Sequence, residues 1–326
     1  MIFCKTPFRI SFFGGGTDYP AWYLRNGGCV ISTTIDKYCY VIIKNLIDIQ
    51  KFSYKIRYYK NEERKKISEI SHPTIRECLI HEKIKEPLEV IYFADLPARA
   101  GLGSSSSFTV GMLNALRALK IKKMNKKKIL YDAIKIEQKI LKESVGSQDQ
   151  AAAVFGGLNI IKFKKNGQIL KKNLEIKAEQ KKHFMNHCLL VFSNTTREAS
   201  KVAEKQIKLI SDRKIELNEI MNLTQEAVKI FSRKKIAKDI GKLLDEQWKL
   251  KKKLSPLISN THIDEIYKTC MNLGAYGGKL LGAGAGGFLL IIAEPRLHKL
   301  ILSNLKLRSV DFRFENEGTK LIKLSK

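Results

Sequence analysis

Residues 101–107, Gly101-Leu102-Gly103-Ser104-Ser105-Ser106-Ser107, decide how the chain is read. The stretch before them, Leu88 to Pro97, reads as a strand with a stop. The stretch after them, Phe108 to Leu119, reads as a helix. A glycine turn lets backbone N–H groups approach an anion closely, and a helix start adds free N–H groups and the positive end of its dipole. Serine hydroxyls can take phosphate oxygens or a metal. Two readings stand on this stretch alone, a nucleotide-phosphate loop and a flexible turn with a serine cap.

Composition bounds the alternatives. The 326 residues are enough for one large domain or two, and 44% apolar content marks a globular chain. The longest apolar run, Phe288 to Ala293, is six residues, far short of the ~20 that cross a bilayer. No membrane partner is expected, and Met1 to Lys5 opens no secretory pattern. Six scattered cysteines show no C-x-x-C spacing, so a reduced, cytoplasmic protein is expected. The net charge of +28 favours polyanions, yet the lysines are dispersed and lack interleaved aromatics. Runs such as Lys251 to Lys253 read as solvated faces, and no nucleic-acid partner is expected.

Upstream, Phe8, Ile10 and Phe12 alternate with Arg9 and Ser11 as a strand that runs into Gly14-Gly15-Gly16-Thr17-Asp18. Asp18 could accept a ligand's hydroxyl protons or cap a helix beginning at Pro20. Residues 53–59 read as a strand and 73–84 as a helix. Downstream, Lys127 to Glu143 reads as one helix, and Glu137 falls on its apolar stripe. A carboxylate facing the interior is costly unless paired or metal-bound, so Glu137 is a metal ligand, a partner of a buried base, or a residue at the stripe's edge. Asp149 opens a short, small-residue helix, where dipole stabilisation alone would explain it. The Lys-rich segment 164–182 has the weakest pattern. The domain boundary is placed there, dividing the chain into 1–170 and 171–326.

The second half opens with a buried strand, Cys188 to Phe192, leading to Thr195-Thr196-Arg197-Glu198. A capping box accounts for Thr and Glu there but not for Arg197. Helices are expected at 198–209, 215–231, 236–254 and 262–273. Gly282, Gly284 and Gly287 match G-x-G-x-x-G, but a strand follows where a dinucleotide fingerprint needs a helix. Gly277-Gly278-Lys279 fails as a P-loop because Leu280 replaces Ser or Thr.

Three motifs together resemble those of the GHMP kinases: Pro7 to Tyr19, Pro97-x-x-x-Gly101-Leu102-Gly103-Ser104-Ser105-Ser106, and Lys279 to Gly287. The resemblance spans nearly the whole chain. It implies an α+β fold of two domains, ribosomal-protein-S5-like at the N-terminus and ferredoxin-like at the C-terminus, with the site between them. Phe8 to Asp18, Val30 to Tyr38 and Val145 to Gln150 are similar to the subgroup that phosphorylates the anomeric hydroxyl of heptose 7-phosphate. The product, a 1,7-bisphosphate, leads toward nucleotide-activated heptose for surface polysaccharide. Galactokinases carry Glu and His where Gly15 and Gly16 stand, which weakens that assignment.

The resemblance implies ATP and Mg²⁺ as cofactors and a sugar phosphate as substrate. Pro97 and Gly101, Leu102, Gly103, Ser104, Ser105 and Ser106 would hold the nucleotide. Ser105 and Glu137 would hold the metal. Asp149 would be the catalytic base, with Arg9 keeping it ionised. Gly15, Gly16, Thr17, Asp18, Asp149, Thr196, Arg197, Gly284 and Gly286 would line the sugar side, with Arg197, Thr195 and Thr196 the candidates for gripping the sugar or its 7-phosphate. A homodimer, another GHMP sugar kinase of fucose or galactose type, and a non-enzymatic sugar sensor on the same fold stay open.

Overall fold

The computed structural model describes residues 1–47, 49–121, 124–195, 199–233 and 236–322. Thr196 and Arg197, two of the expected sugar-side residues, lie outside the described residues.

The described residues form a nine-stranded sheet and a three-stranded sheet. The central path of the larger sheet runs Lys320–Ile322, Ile2–Phe13, Gly28–Asn45, Leu88–Ala94, Tyr54–Arg57, Asn61–Arg64. Gly28–Asn45 is long enough to pair also with Asn159–Phe163 and Phe314–Glu315. The chain's last strands therefore return to its first. Register between Ile2–Phe13 and Gly28–Asn45 shifts at Pro7/Arg9 and again at Ser11/Phe13. Such irregularities bend a strand and re-aim its side chains, and these flank Arg9 and Ser11.

The helix Ser104–Leu119 packs on this sheet. It has no side-chain cap, so the N–H groups of its first turn are left for another partner. The helix Gln148–Phe155 packs against it through Ala151 to Val154, residues small enough for close approach. The single helix expected at 127–143 is instead an α-helix, Lys126–Ile134, followed by a π-helical turn, Lys135–Ile140. The wider turn takes in an extra residue, which a helical hydrophobic pattern does not reveal.

The smaller sheet sets Phe288–Ile292 between Cys188–Phe192 and Gly277–Leu280, all antiparallel. The helices Lys214–Phe231, Ala237–Leu254 and Thr261–Asn272 match the expected spans within two residues. Asn260 caps the last by accepting from Ile263 N at 3.0 Å. The two halves share a core: Phe12 lies 5.6 Å from Phe184 and 6.3 Å from Phe231, centroid to centroid. This anchors the end of the first strand, and the motif that follows it, to the C-terminal helices. Among the described residues no helix is long and apolar enough to cross a membrane.

Candidate functional site

The first strand, the serine loop, the start of Gln148–Phe155 and the 282–287 turn converge on one cleft of about 420 Å³, within the ~300–1,000 Å³ usual for small-molecule sites. Arg9 ties the first two together. Its backbone N–H donates to Leu102 O at 3.0 Å and its Nη1 donates to Gly101 O at 2.6 Å. Its other nitrogens grip Asp149 in a bidentate pair, Nε to Oδ1 at 2.8 Å and Nη2 to Oδ2 at 2.7 Å. Such a fork fixes the carboxylate's orientation as well as its charge. The Arg9 side chain is 5% exposed and that of Asp149 is 20% exposed, so the pair is largely desolvated but open on the carboxylate side.

Asp18 does not cap the helix at Pro20, whose N-cap residue is Tyr19. It accepts instead from Gly16 N at 3.0 Å and, across the cleft, from Gln148 N at 3.4 Å. Burial, and next the charge of Asp149, raise its pKa above the ordinary carboxylate value. A Cβ on Gly146 would stand 1.8 Å from Asp18 Oδ2, so only glycine fits where the 143–146 loop crosses the carboxylate. Thr17 is buried, and its hydroxyl is engaged inside the turn with Gly14 O and Cys29.

The third motif supports the serine loop from beneath. Gly101 has φ +82° and lies so close to the 281–282 backbone that a Cβ would meet Leu281 O at 2.7 Å. Phe288 N donates to Ala100 O at 3.1 Å. Gly282 and Ala283 line the cleft. Gly284 and Gly286 do not: they are buried against the backbones of Ile258 and Thr195. Pro97 is exposed and Leu102 buried, both away from the cleft lining, whereas Gly101, Gly103, Ser104 and Ser105 line it.

Glu137 is 1% exposed, which rules out the solvent-facing edge. The π-helical turn aims it beneath the serine loop. Ser106 Oγ donates to its Oε2 at 2.8 Å, and Gln150 Nε2 donates to the same oxygen. Its Oε1 is buried without a hydrogen-bond partner among the described residues. Burial pushes the carboxyl up to about 7, against the lowering effect of the Thr109 and Ser106 hydroxyls. Ser105 is exposed at the cleft, one residue before the serine that bonds the carboxylate. A hard carboxylate oxygen without a partner, next to hydroxyls, fits the oxygen-ligand chemistry of Mg²⁺.

Several cleft residues escaped the sequence reading, four of them polar groups buried in the cleft wall. Ser11 Oγ and Gln148 Oε1 line the cleft, buried and without hydrogen-bond partners among the described residues. Lys251 and Lys279 are 5% and 2% exposed and also line it. Lys251 is therefore not part of a solvated face. A signal existed: Lys251 stands three residues after Trp248 and three before Leu254, on that helix's buried stripe.

This arrangement, a two-lobed α+β fold with an uncapped helix start facing an Arg-held carboxylate, is that of a phosphotransferase. Residues 73–157 match the family model "GHMP kinases N terminal domain" and residues 217–306 match "GHMP kinases C terminal". The chain is 30% identical over 331 residues to D-glycero-alpha-D-manno-heptose 7-phosphate kinase of Campylobacter jejuni, covering 97% of each. It is 26% identical to the galactokinase of Pyrococcus furiosus, covering 92% of this chain and 91% of the relative. Among solved structures, a D-glycero-D-manno-heptose 1-phosphate kinase from Bacteroides thetaiotaomicron superposes with a TM-score of 0.76 at 22% identity over the whole of both chains. A Streptococcus pneumoniae phosphomevalonate kinase does so with a TM-score of 0.77 at 16% identity, covering 96% and 100%. The chain belongs to the GHMP kinase family, has its two-domain fold, and is a sugar kinase of that family.

Proposed function

We propose that this kinase transfers the γ-phosphoryl group of ATP to the anomeric hydroxyl of heptose 7-phosphate, giving the 1,7-bisphosphate. The observation that carries the chemistry is the bidentate Arg9–Asp149 pair at the junction of the serine loop and the cleft. The heptose acceptor draws on similarity to the Campylobacter jejuni enzyme and on Gly15, where a side chain would come within 3.9 Å of the cleft residues Ser11 and Gln148.

Phosphoryl transfer rests on positioning and charge neutralisation. Gly101, Gly103 and the first turn from Ser104 to Ser106 would cradle the triphosphate with backbone N–H groups. Asp149 takes the proton from the sugar hydroxyl; the hydroxyl oxygen bonds to the γ-phosphorus, and the bond from that phosphorus to the bridging oxygen of ADP breaks. Arg9 fixes the orientation of the Asp149 carboxylate through its bidentate fork. Asp18, Ser11 and Gln148 would take further sugar hydroxyls, and Thr196 and Arg197 would contribute to the grip on the sugar or its 7-phosphate. Mg²⁺, held by Glu137 and Ser105, would supply positive charge against the phosphates. The domain division at 170/171 belongs to the same proposal, with the returning C-terminal strands packed on the first unit.

ADP release measured across heptose 7-phosphate, unphosphorylated heptose, galactose and fucose tests the acceptor. Heptose 7-phosphate should lead in kcat/KM by at least about tenfold. Equal or better turnover of galactose or fucose would reassign the substrate.

Glu137→Gln should raise the Mg²⁺ concentration needed for half-maximal rate by about tenfold or more, since a neutral amide binds the ion less well. An unchanged metal dependence would remove Glu137 from that role. The same variant has a stability signature in metal-free buffer. The folded carboxyl holds its proton to about 7, against 4.5 unfolded. Its contribution is therefore intact below about pH 4.5 and is lost as pH rises through 7, a change on the order of 3 kcal/mol. The variant lacks this slope, so urea denaturation should show it gaining on the parent between pH 5 and 8.

A further inference from the structure

Lys251 and Lys279 place two ammonium groups in the cleft with no carboxylate within 4.0 Å among the described residues. Lys251 Nζ donates to Gly282 O at 2.6 Å and Leu280 O at 3.2 Å, and lies 5.8 Å from the Trp248 ring centroid. Lys279 Nζ donates to Phe12 O at 3.0 Å. An ammonium has three N–H groups, so the pair keeps three donors unspent. Burying charge without a counter-ion is expensive. Burial, then the charge of Arg9, brings Lys251 down to about 7; burial, then Lys251 itself, lowers Lys279 well below its ordinary value. Such a pair is relieved by an incoming anion.

The position says which anion. Three residues on one face of the helix Ala237–Leu254 lie along the first motif's turn. Gln247 accepts from Gly14 N at 2.8 Å and donates to Phe12 O at 2.8 Å. Leu254 packs against Gly16. Lys251 stands between them, and Lys279 reaches the same strand end. Both lysines line the cleft together with Gly15 and Gly16, Lys279 on the strand end before the first motif's turn and Lys251 on the third-motif carbonyls. The serine loop already provides for the nucleotide phosphates, and the Arg9 guanidinium is spent on Asp149 and Gly101 O.

We infer that Lys251 and Lys279 together receive the phosphate group carried by the sugar acceptor and set the enzyme's preference for a phosphorylated sugar. This rests on the proposed acceptor. A phosphate dianion would take the unspent N–H donors and neutralise the pair. Unphosphorylated sugars of the same shape offer the pair no counter-charge.

The test compares heptose 7-phosphate with unphosphorylated heptose for the parent enzyme, Lys251→Met, Lys279→Met and the charge-keeping Lys251→Arg and Lys279→Arg. Each Met variant should lower the kcat/KM preference for the phosphorylated sugar by about 10- to 100-fold, through KM for that sugar and not KM for ATP. The Arg variants should keep most of the preference, which separates charge from packing. Inorganic phosphate should inhibit the parent competitively with the sugar, and more weakly in the Met variants. An equal fall with both sugars, or inhibition competitive with ATP alone, would overturn the inference by assigning the lysines to structure or to the γ-phosphate. A parent enzyme without any preference would instead remove the heptose 7-phosphate acceptor. A parent preference that survives in both Met variants overturns the lysine pair alone.

Discussion

Asp149→Asn is expected to lower kcat by about 100- to 10,000-fold while the affinity for ATP stays within about threefold. Asparagine has the size of aspartate and can still accept one hydrogen bond from Arg9, so the cleft wall should hold its shape. It cannot take the proton of the sugar hydroxyl. The loss should appear in single-turnover rates, where product release plays no part, and calorimetry with ATP should show nucleotide binding intact. A loss under tenfold would leave Asp149 as an orienting group and require another base. Among the described residues the cleft holds two other carboxylates, Glu143 and Asp18, and the oxygens of Asp18 accept from Gly16 N and Gln148 N.

Arg9→Met should be as severe for turnover and, unlike Asp149→Asn, should also unfold the protein more easily. Removing the guanidinium strands a largely desolvated carboxylate and leaves Gly101 O without its donor. Breaking a buried pair from one side costs about 3–5 kcal/mol. The 20% exposure of the Asp149 side chain puts this site toward the lower end. Combining Arg9→Met with Asp149→Asn should recover part of the stability, because the stranded charge is gone, and should cost little further activity. Urea denaturation and kcat on the three variants measure both effects. Additive losses in stability would show that the two residues act separately.

The serine loop, the strand before it and the helix after it were legible because local patterning and function agree there. Glu137 stood out because a carboxylate on an apolar stripe breaks the pattern, and the structure does bury it. What the pattern could not show was the π-helical turn that aims it, since one extra residue hardly disturbs a hydrophobic stripe. Nor could it show that Ser106, one position beyond Ser105, is the serine bonded to that carboxylate. Lys251 was hidden by its neighbours: Lys249 and Lys253 are exposed, and a lysine run reads as a solvated face. Only its helical spacing from Trp248 and Leu254 marked it as inward. Lys279 gave no such signal, because a four-residue buried strand has no periodicity to break. The sugar side depends on contacts between residues more than 200 positions apart, such as Gln247 with Gly14, and these emerge only from the fold.

The central claim is that phosphate moves from ATP to the anomeric oxygen of a phosphorylated heptose. The direct measurement is phosphorus–proton NMR of the product formed from heptose 7-phosphate and ATP. The account predicts one new phosphorus resonance coupled to the anomeric proton, appearing in step with ADP, while the original phosphate keeps its coupling to the terminal carbon's protons. A new phosphate coupled to any other ring proton, or ADP formed with the sugar unchanged, would contradict it.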